Sequence, residues 1–169
     1  WYGIELVHSS KNIICGNNIM YHWDGIVLIS SSNNVIYGNV IAENYDDGIW
    51  LESSSNNSIS KNRIYGSSIT DHDYGITLHE SSYNRVSGNA IANIEYGIGI
   101  EYSMGNSVIG NTIMMTNQYG IWLLMSSNNS IYHNNFVNNA IQSYVYASVN
   151  VWDDGYPSGG NYWSDYDGI

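Results

Sequence analysis

The sequence predicts an all-β protein: a right-handed single-stranded parallel β-helix (a solenoid) of six to seven coils with an aromatic cap at the carboxyl end. Three observations predict this fold. A Gly-Ile pair recurs at spacings of 22, 23, 27, 22 and 23 residues, a period typical of repeat architectures. Apolar residues within each repeat stand two positions apart, which is the period of a strand. Two Asn residues recur at fixed positions of every repeat.

Each repeat begins at its Gly-Ile pair, and the apolar positions that follow form columns down the chain. The pairs are Gly3-Ile4, Gly25-Ile26, Gly48-Ile49, Gly75-Ile76, Gly97-Ile98 and Gly120-Ile121. Aliphatic residues come two and ten positions after each Ile, and Ile or Phe comes fifteen positions after it. Because stacked coils place equivalent residues about 4.8 Å apart, we expect each column to form a continuous apolar stack.

The two repeated Asn residues predict two ladders of stacked side-chain amides. The first column comprises Asn12, Asn34, Asn57, Asn84, Asn106 and Asn129. The second comprises Asn17, Asn39, Asn62, Asn89, Asn111 and Asn134. A buried amide needs hydrogen-bond partners, and stacking gives each one a neighbour above and below. A leucine-rich repeat has a similar period, but the Ile and Val columns and the two Asn columns favour the β-helix.

The chain is organised as one repeat domain followed by a short closing segment. Residues 1–149 hold the β-helix repeats, and residues 150–169 form the carboxyl-terminal cap. The cap must cover the last coil, because a solenoid exposes unpaired strand edges at its ends. Its apolar residues are Trp152, Tyr156, Pro157, Tyr162, Trp163 and Tyr166. Since the sequence opens inside a repeat, we expect either an upstream segment or end-to-end self-association at the amino end.

The composition excludes several classes of function. Fifteen acidic residues against four Lys and Arg give a formal net charge of −11. Proteins that bind nucleic acid or anionic membranes need a basic surface, so we expect neither partner. No apolar run approaches the length of a membrane span, so we expect no membrane insertion. Sixteen Tyr and six Trp, against one Phe, suit surfaces and interfaces because these rings keep a polar group.

Residues that differ between repeats mark a candidate glycan-binding face. The position after the repeated Ile should point outward, and there two Trp flank two small residues. Two positions further along, Glu52, His79 and Glu101 should form a row with one strand spacing between neighbours. Sugar rings stack on aromatic faces, so we expect a glycan to bind here. The predicted contacts are Trp50, Thr77, Gly99, Trp122, Glu52 and Glu101.

The longest turn, from Tyr65 to Tyr74, should bring acidic residues of neighbouring coils together. Three interpretations stay open: a solvated acidic loop, a cation site, or a catalytic acid/base cluster. The cation would be calcium, which prefers carboxylate oxygens, and the protein requires no other cofactor. The calcium ligands would be Asp46, Asp47, Asp71 and Asp73. The catalytic cluster would comprise Asp46, Asp47, Asp71, Asp73, His79 and Glu101.

The charges of the chain argue against catalysis. Lys61, Arg63 and Arg85 lie on the second strand segment of their coils, away from the candidate acids. Glu52 and Glu101 are two coils apart, about 9.6 Å, at the upper limit for a glycosidase pair. A chain this acidic is also poorly suited to a polyanionic substrate. The leading hypothesis is therefore a non-catalytic module with a structural, adhesive or glycan-binding role. The alternative is a polysaccharide-active lyase or hydrolase that uses the acidic cluster of coils three to five.

Two sequons make Asn56 and Asn128 candidates for N-glycosylation. Each lies one residue before a ladder Asn, where we expect an exposed corner. Sequons also arise easily in a repeat rich in Asn and Ser, so the motif by itself is weak.

The repeat pattern GIxL…SSxNxIxxNxI resembles that of the NosD-like and carbohydrate-binding/sugar-hydrolase family of parallel β-helix proteins. The stretch NVWDDGYPSGGNYWSDYDG, residues 150–168, is similar to the end of NosD-like proteins of archaeal cell surfaces. The resemblance implies an exported extracellular or cell-surface protein whose partners are glycans or other envelope proteins. It also implies a third function, as a copper-handling accessory protein, because relatives are named for copper delivery to nitrous oxide reductase. The scattered His residues and Met104, Met114 and Met115 form no evident copper ligand set.

Overall fold

The computed structural model describes residues 1–66 and 73–167 and confirms the predicted fold. Within the described residues, twenty short strands pair in parallel and form three sheets, so the chain winds as a right-handed β-helix of seven coils. No part of the described chain forms a helix long and apolar enough to cross a membrane.

The three sheets are called A, B and C in the order in which the chain enters them. Sheet A contains β1 (Ile4–Val7), β4 (Ile26–Ile29), β7 (Ile49–Glu52), β10 (Tyr74–His79), β13 (Tyr96–Glu101), β16 (Tyr119–Leu124) and β19 (Ile141–Tyr146). Sheet B contains β2 (Ile13–Cys15), β5 (Val35–Tyr37), β8 (Ser58–Ser60), β11 (Arg85–Ser87), β14 (Ser107–Ile109) and β17 (Ser130–Tyr132). Sheet C contains β3 (Asn18–Met20), β6 (Val40–Ala42), β9 (Arg63–Tyr65), β12 (Ala90–Ala92), β15 (Thr112–Met114), β18 (Asn135–Val137) and β20 (Tyr162–Trp163).

The interior consists of the predicted apolar columns. Sheet A contributes two columns, and sheets B and C contribute one each, with equivalent residues of successive coils paired in register. From the second coil to the sixth, these side chains are almost completely buried. Burying one such aliphatic side chain stabilises the fold by roughly 1.5 to 3 kcal/mol. At the amino-terminal end of the stack, Ile4 and Leu6 are only partly buried.

The glycine of each Gly-Ile pair is required by the close approach of sheets A and C. At Gly48, a Cβ atom would lie 2.6 Å from Cγ2 of Ile64 and 2.7 Å from the backbone oxygen of Gly75. At Gly75, it would lie 2.5 Å from Cγ2 of Ile91 and 2.6 Å from the backbone oxygen of Gly97. These separations are far below van der Waals contact, so a larger residue would have to displace the next coil.

Two asparagine ladders run along the corners on either side of sheet B. In the second ladder, each amide nitrogen donates to Oδ1 of the Asn in the next coil, at 2.9 to 3.0 Å. The same Oδ1 atom accepts the backbone N–H of the preceding Asn. The two ladders end in the seventh coil at Asn150 and Asn161, which the sequence pattern did not predict. The second ladder therefore satisfies buried backbone groups as well as its own amides, whereas in the first ladder the buried amide nitrogen of Asn106 has no hydrogen-bond partner among the described residues.

A ladder of buried serines lies at the corner between sheets A and B and was not predicted. The hydroxyl of Ser81 accepts the backbone N–H of Ser54 at 2.9 Å and donates to the carbonyl of His79 at 2.8 Å. The same acceptor pattern runs from Ser31 to Ser148. The recurring Ser pair before each first Asn was the available signal, since a hydroxyl can accept and donate at once.

The carboxyl-terminal segment completes a seventh coil as well as covering its end. Strand β20 pairs with β18, and Val151 forms an isolated bridge with Ser130. Trp163 stacks on Phe136 with ring centroids 4.6 Å apart, and Trp152 packs beside Trp163. These two Trp side chains pack against the end of the apolar core.

The remaining apolar residues of the predicted cap do not cover the core. Tyr156 is fully exposed, and more than half of the side-chain surface of Tyr162 and Tyr166 is open to solvent. Pro157 is also exposed. Alternation explains Tyr162, because neighbouring residues of a strand point to opposite faces and Trp163 is the one that points inward.

Candidate functional site

The outer face of sheet A carries a layer of packed aromatic side chains over coils four to seven. The aromatic platform is defined as Tyr74, Tyr96, Tyr119, Trp122 and Tyr144. Tyr74 stacks on Tyr96, and Trp122 stacks on Tyr144, with ring centroids 4.4 Å apart in both pairs. Tyr119 joins the two pairs, because its centroid lies 5.8 Å from Tyr96 and 5.3 Å from Trp122. The five rings are partly buried and hold one another in place.

The aromatic platform differs from the glycan-binding face predicted from the sequence. Trp50 and Trp122 are partly exposed, as expected, but Thr77 and Gly99 between them are buried. A Cβ atom on Gly99 would lie 2.8 Å from the ring of Tyr74. The Tyr74 ring therefore covers Gly99, a position that was expected to be open. A sugar bound at this position would contact an aromatic ring instead of a small residue.

Four platform residues were not predicted, and the sequence holds a signal for three of them. Tyr stands directly before the Gly-Ile pair in three successive repeats, at Tyr74, Tyr96 and Tyr119. The sheet register places the first two side by side. Val27, in the predicted outward column, is completely buried, so an outward position in this sheet is not always an exposed one.

One edge of the platform is the row of Glu52, His79 and Glu101 at the ends of the strands. The register of sheet A places these three residues side by side. Nδ1 of His79 lies 3.2 Å from Oε2 of Glu101, and the imidazole meets the ring of Tyr102 edge-on. A partly exposed imidazole held by a carboxylate is a group that can accept and return a proton.

The opposite edge, at the corner between sheets C and A, contains a column of buried aspartates. Asp24, Asp47 and Asp73 precede successive strands of sheet A and are almost completely buried. Their Oδ1 atoms accept backbone N–H groups of the next coil at 2.9, 3.1 and 2.9 Å. Asp46 instead accepts a hydrogen bond from Nε1 of Trp23 at 3.1 Å. Three of these acids therefore serve the backbone much as the ladder Asn residues do.

Burial changes the protonation of this column, because it disfavours a charged carboxylate. It raises the pKa of Asp24 to about 6, an effect that the hydrogen bond from the Asp47 backbone opposes. Burial also raises the pKa of Asp47 well above its ordinary value. Asp24 and Asp47 therefore lose their protons at a higher pH than exposed aspartates do.

The candidate catalytic residues fall into two separate groups. Asp46, Asp47 and Asp73 stand before the strands of sheet A, whereas His79 and Glu101 stand at their ends. Strand β7 separates Asp47 from Glu52 by a rise of roughly 17 Å. Paired glycosidase carboxylates lie about 5 to 9.5 Å apart. The predicted six-residue cluster is therefore not assembled in the described chain, and its member Asp71 lies outside the described residues.

The calcium ligands show no assembled site either. Within residues 1–66 and 73–167, no three His, Cys, Asp or Glu side chains are arranged to hold a metal ion. Asp47 and Asp73 are buried acceptors of backbone N–H groups, and Asp71 again lies outside those ranges. Calcium binding at this corner stays a prediction.

The sequon residues Asn56 and Asn128 are exposed at the corner between sheets A and B. Both have a positive φ, 57° and 60°, a conformation that Asn adopts more readily than most residues. The turn therefore gives a structural reason for Asn at these positions, and glycosylation stays a prediction.

Replacing Asp24 with Asn is expected to stabilise the protein by about 1 to 2 kcal/mol at neutral pH. The pKa of Asp24 is raised from 3.8 to about 6 in the folded chain, so the folded state binds this proton more tightly than the unfolded state. The stabilisation from that proton is complete below about pH 4 and is lost as the pH rises through about 6. An amide keeps the acceptor for the Asp47 N–H without the charge.

Urea unfolding of the wild type and Asp24→Asn between these two pH values measures the effect. The exposed Glu5→Gln variant removes one acid on the first coil and should leave the pH dependence unchanged. Equal stability of Asp24→Asn and the wild type across the range would contradict the raised pKa.

The parallel β-helix and the aromatic layer on the outer face of sheet A define the class: a repeat protein of the parallel β-helix type. Residues 1–168 match the family model described as periplasmic copper-binding protein (NosD), and the chain belongs to the NosD family. No curated protein matches the chain. The archaeal origin stays a prediction.

Solved structures of three proteins share the fold. The periplasmic alginate epimerase AlgG is 23% identical with a TM-score of 0.79, over 89% of this chain and 41% of that one. The active domain of bacteriophage CBA120 tailspike protein 2 is 15% identical with a TM-score of 0.65, over 95% and 24%. The A-module of the mannuronan C-5 epimerase AlgE6 of Azotobacter vinelandii is 14% identical with a TM-score of 0.56, over 88% and 54%. The chain thus spans less than half the length of AlgG.

The family description names copper, but the described residues do not fit a copper site. Copper prefers His, Cys and Met ligands. Cys15 is exposed on sheet B, His79 pairs with Glu101 beside sheet A, and His133 lies 3.3 Å from Asp154. These candidate donors belong to different surfaces, so no copper chemistry is assigned to them.

Proposed function

We propose that the protein is a non-catalytic glycan-binding module outside the cytoplasm, in the periplasm or at the cell surface. The aromatic platform is the observation that carries this proposal. The apolar faces of sugar rings stack on aromatic rings, and the hydroxyl groups of Tyr offer hydrogen bonds to sugar hydroxyls. Five rings in one layer suit a chain of sugars better than a single small molecule.

The packing of the platform lowers the cost of binding. Tyr74 and Trp122 each stack on a neighbouring ring, and the rigid strands of sheet A set the spacing between them. Side chains already held in place lose little rotational freedom when a ligand arrives. Trp50, on the coil before the platform, would extend the binding surface by one strand.

The comparisons support the class of ligand and the location. AlgG and AlgE6 are named as enzymes that act on alginate or mannuronan, which are polysaccharides. Their likeness to this chain concerns the fold, so the case for a glycan ligand here depends on the platform. The family description as periplasmic supports a place outside the cytoplasm. Structural or adhesive roles, envelope-protein partners and end-to-end self-association belong to the same proposal and stay predictions.

A second candidate function is a polysaccharide-active enzyme, and the His79–Glu101 pair favours it. The pair lies beside the platform, where a bound sugar chain would meet an imidazole able to take a proton. The buried aspartates are too distant to pair with Glu101, and Glu52, two coils away, lies at the upper limit of the spacing of a glycosidase pair, which favours the non-catalytic alternative.

Trp122→Ala is expected to weaken oligosaccharide binding at least tenfold, because a buried aromatic anchor commonly contributes about 1.4 kcal/mol or more. Trp50→Ala should have a smaller effect, since no platform ring stacks on Trp50. Isothermal titration with cello-, chito- and manno-oligosaccharides of equal length measures both. Trp23→Ala is the matched control, because Trp23 is an exposed Trp on the second coil.

Assay of the same mixtures for new chain ends separates the two candidate functions. Binding without new ends supports the module. New ends that disappear with Glu101→Gln would establish the enzyme. The absence of binding to all of these sugars, with wild type and variants alike, would contradict the role of the platform.

A further inference from the structure

Carboxylates stand at both edges of the aromatic platform, and His79 lies between two of them, Glu52 and Glu101. Glu52 and Glu101 stand at the strand-end edge, and Glu95 stands at the opposite edge, directly before Tyr96. We call these three the rim carboxylates. All three are partly exposed, so a ligand on the platform could reach them.

The basic residues of the chain lie elsewhere. The sequence contains four, and all lie in the described part of the chain. Lys11 lies at the corner between sheets A and B of the first coil, Arg85 on sheet B, Lys61 at the corner between sheets B and C, and Arg63 on sheet C. A polysaccharide on sheet A would therefore meet acids at both edges and no Lys or Arg within the sheet.

The negative charges at the edges of the platform act on one of its tyrosine hydroxyl groups. The pKa of Tyr74 is raised, first by burial and then by electrostatic interactions with Glu101, Tyr96, Asp47 and Glu95, in that order. The ring of Tyr74 lies over Gly99, near the centre of the face. Charges at both edges of the platform thus act on a hydroxyl group between them.

This arrangement bears on which sugars can bind. A uronate polymer would bring one carboxylate for each sugar into a surface of the same sign and would be repelled. A neutral polymer would gain the aromatic stacking alone. A polymer with ammonium groups would gain stacking together with charge-assisted hydrogen bonds to the rim carboxylates.

We propose that the platform binds polysaccharides whose sugars carry protonated amino groups, with the rim carboxylates as partners of the ammonium groups and the aromatic rings as partners of the sugar faces. This inference rests on the proposed glycan-binding function. It names a ligand class opposite in charge to alginate.

Titration with matched oligomers at weakly acidic pH, where the amines are charged, tests the proposal. The probes are oligomers of glucosamine, of N-acetylglucosamine and of mannuronate, all of equal length. We expect the glucosamine oligomer to bind about tenfold tighter than the acetylated one, with an advantage that shrinks as salt is added. We expect the mannuronate oligomer to bind most weakly.

The double variant Glu95→Gln and Glu101→Gln should remove the advantage of the amine, whatever its smaller effect on the affinity for the acetylated oligomer. Asp153→Asn removes an exposed acid in the seventh coil, away from sheet A, and should change neither. Equal affinities for the amine and the acetylated oligomer, or preference for mannuronate, would overturn the charge selection and leave glycan binding intact. A Trp122→Ala variant with unchanged affinity for every probe would instead overturn the role of the platform.

Discussion

Asn89→Ala is expected to lower the free energy of unfolding by about 3 to 5 kcal/mol. Oδ1 of Asn89 accepts the backbone N–H of Asn62 at 2.9 Å and its amide at 3.0 Å. Nδ2 of Asn89 donates to the carbonyl of Ile59 at 3.0 Å and to Oδ1 of Asn111 at 2.9 Å. Truncation would leave buried donors and acceptors of three other residues with fewer partners, and would open a small cavity.

Chemical denaturation monitored by circular dichroism measures this loss. Asn135→Ala is the matched control, because Asn135 is exposed and directly follows a ladder Asn without belonging to the ladder. Surface substitutions of that kind usually change stability by less than about 0.5 kcal/mol. Similar losses for Asn89→Ala and Asn135→Ala would show that the ladder adds little to stability.

Gly75→Ala is expected to destabilise the protein by about 3 kcal/mol or more. The added Cβ atom would meet Cγ2 of Ile91 at 2.5 Å and the backbone oxygen of Gly97 at 2.6 Å. The second contact is with the backbone of the next coil, which can move only if the parallel hydrogen bonds between β10 and β13 shift. An off-rotamer side chain cannot relieve this clash.

Gly99→Ala is the control for this second prediction. Its Cβ atom would meet ring carbons of Tyr74 at 2.8 Å, and this partly exposed side chain can move at the cost of its stacking on Tyr96, whereas a backbone atom cannot. We therefore expect a clearly smaller loss of stability from Gly99→Ala than from Gly75→Ala in the same denaturation experiment. Equal losses would mean that the approach of sheets A and C does not require the repeated glycine.

The regular repeat period made most of the fold predictable. Positions such as Ile76 and Ile98 repeat at one coil, and stacking in register follows directly from that period. The same period predicted that Glu52, His79 and Glu101 lie in a row. The serine ladder also repeats once per coil and could have been predicted from the sequence. Ser is equally common in ordinary turns, however, and the repeat period alone does not distinguish a turn residue from a ladder residue.

The platform was harder to predict, because long side chains are not confined to their own coil. Tyr74 belongs to the fourth coil, yet its ring covers Gly99 of the fifth. The cap aromatics were hard to predict for a related reason. The position of strand β20 in the structure decided that Trp163, and not Tyr162, points inward.

The sequence by itself determined the coil, the columns, the two Asn ladders and the acidic balance of the chain. All of these depend on backbone hydrogen bonds and on a period that one chain displays six times. Only the tertiary structure decided which aromatic rings form one surface, which aspartates are buried, and how far apart the candidate acids lie. The physical reason is that burial and separation across a sheet depend on how side chains from different coils pack together, and a one-dimensional period does not contain that information.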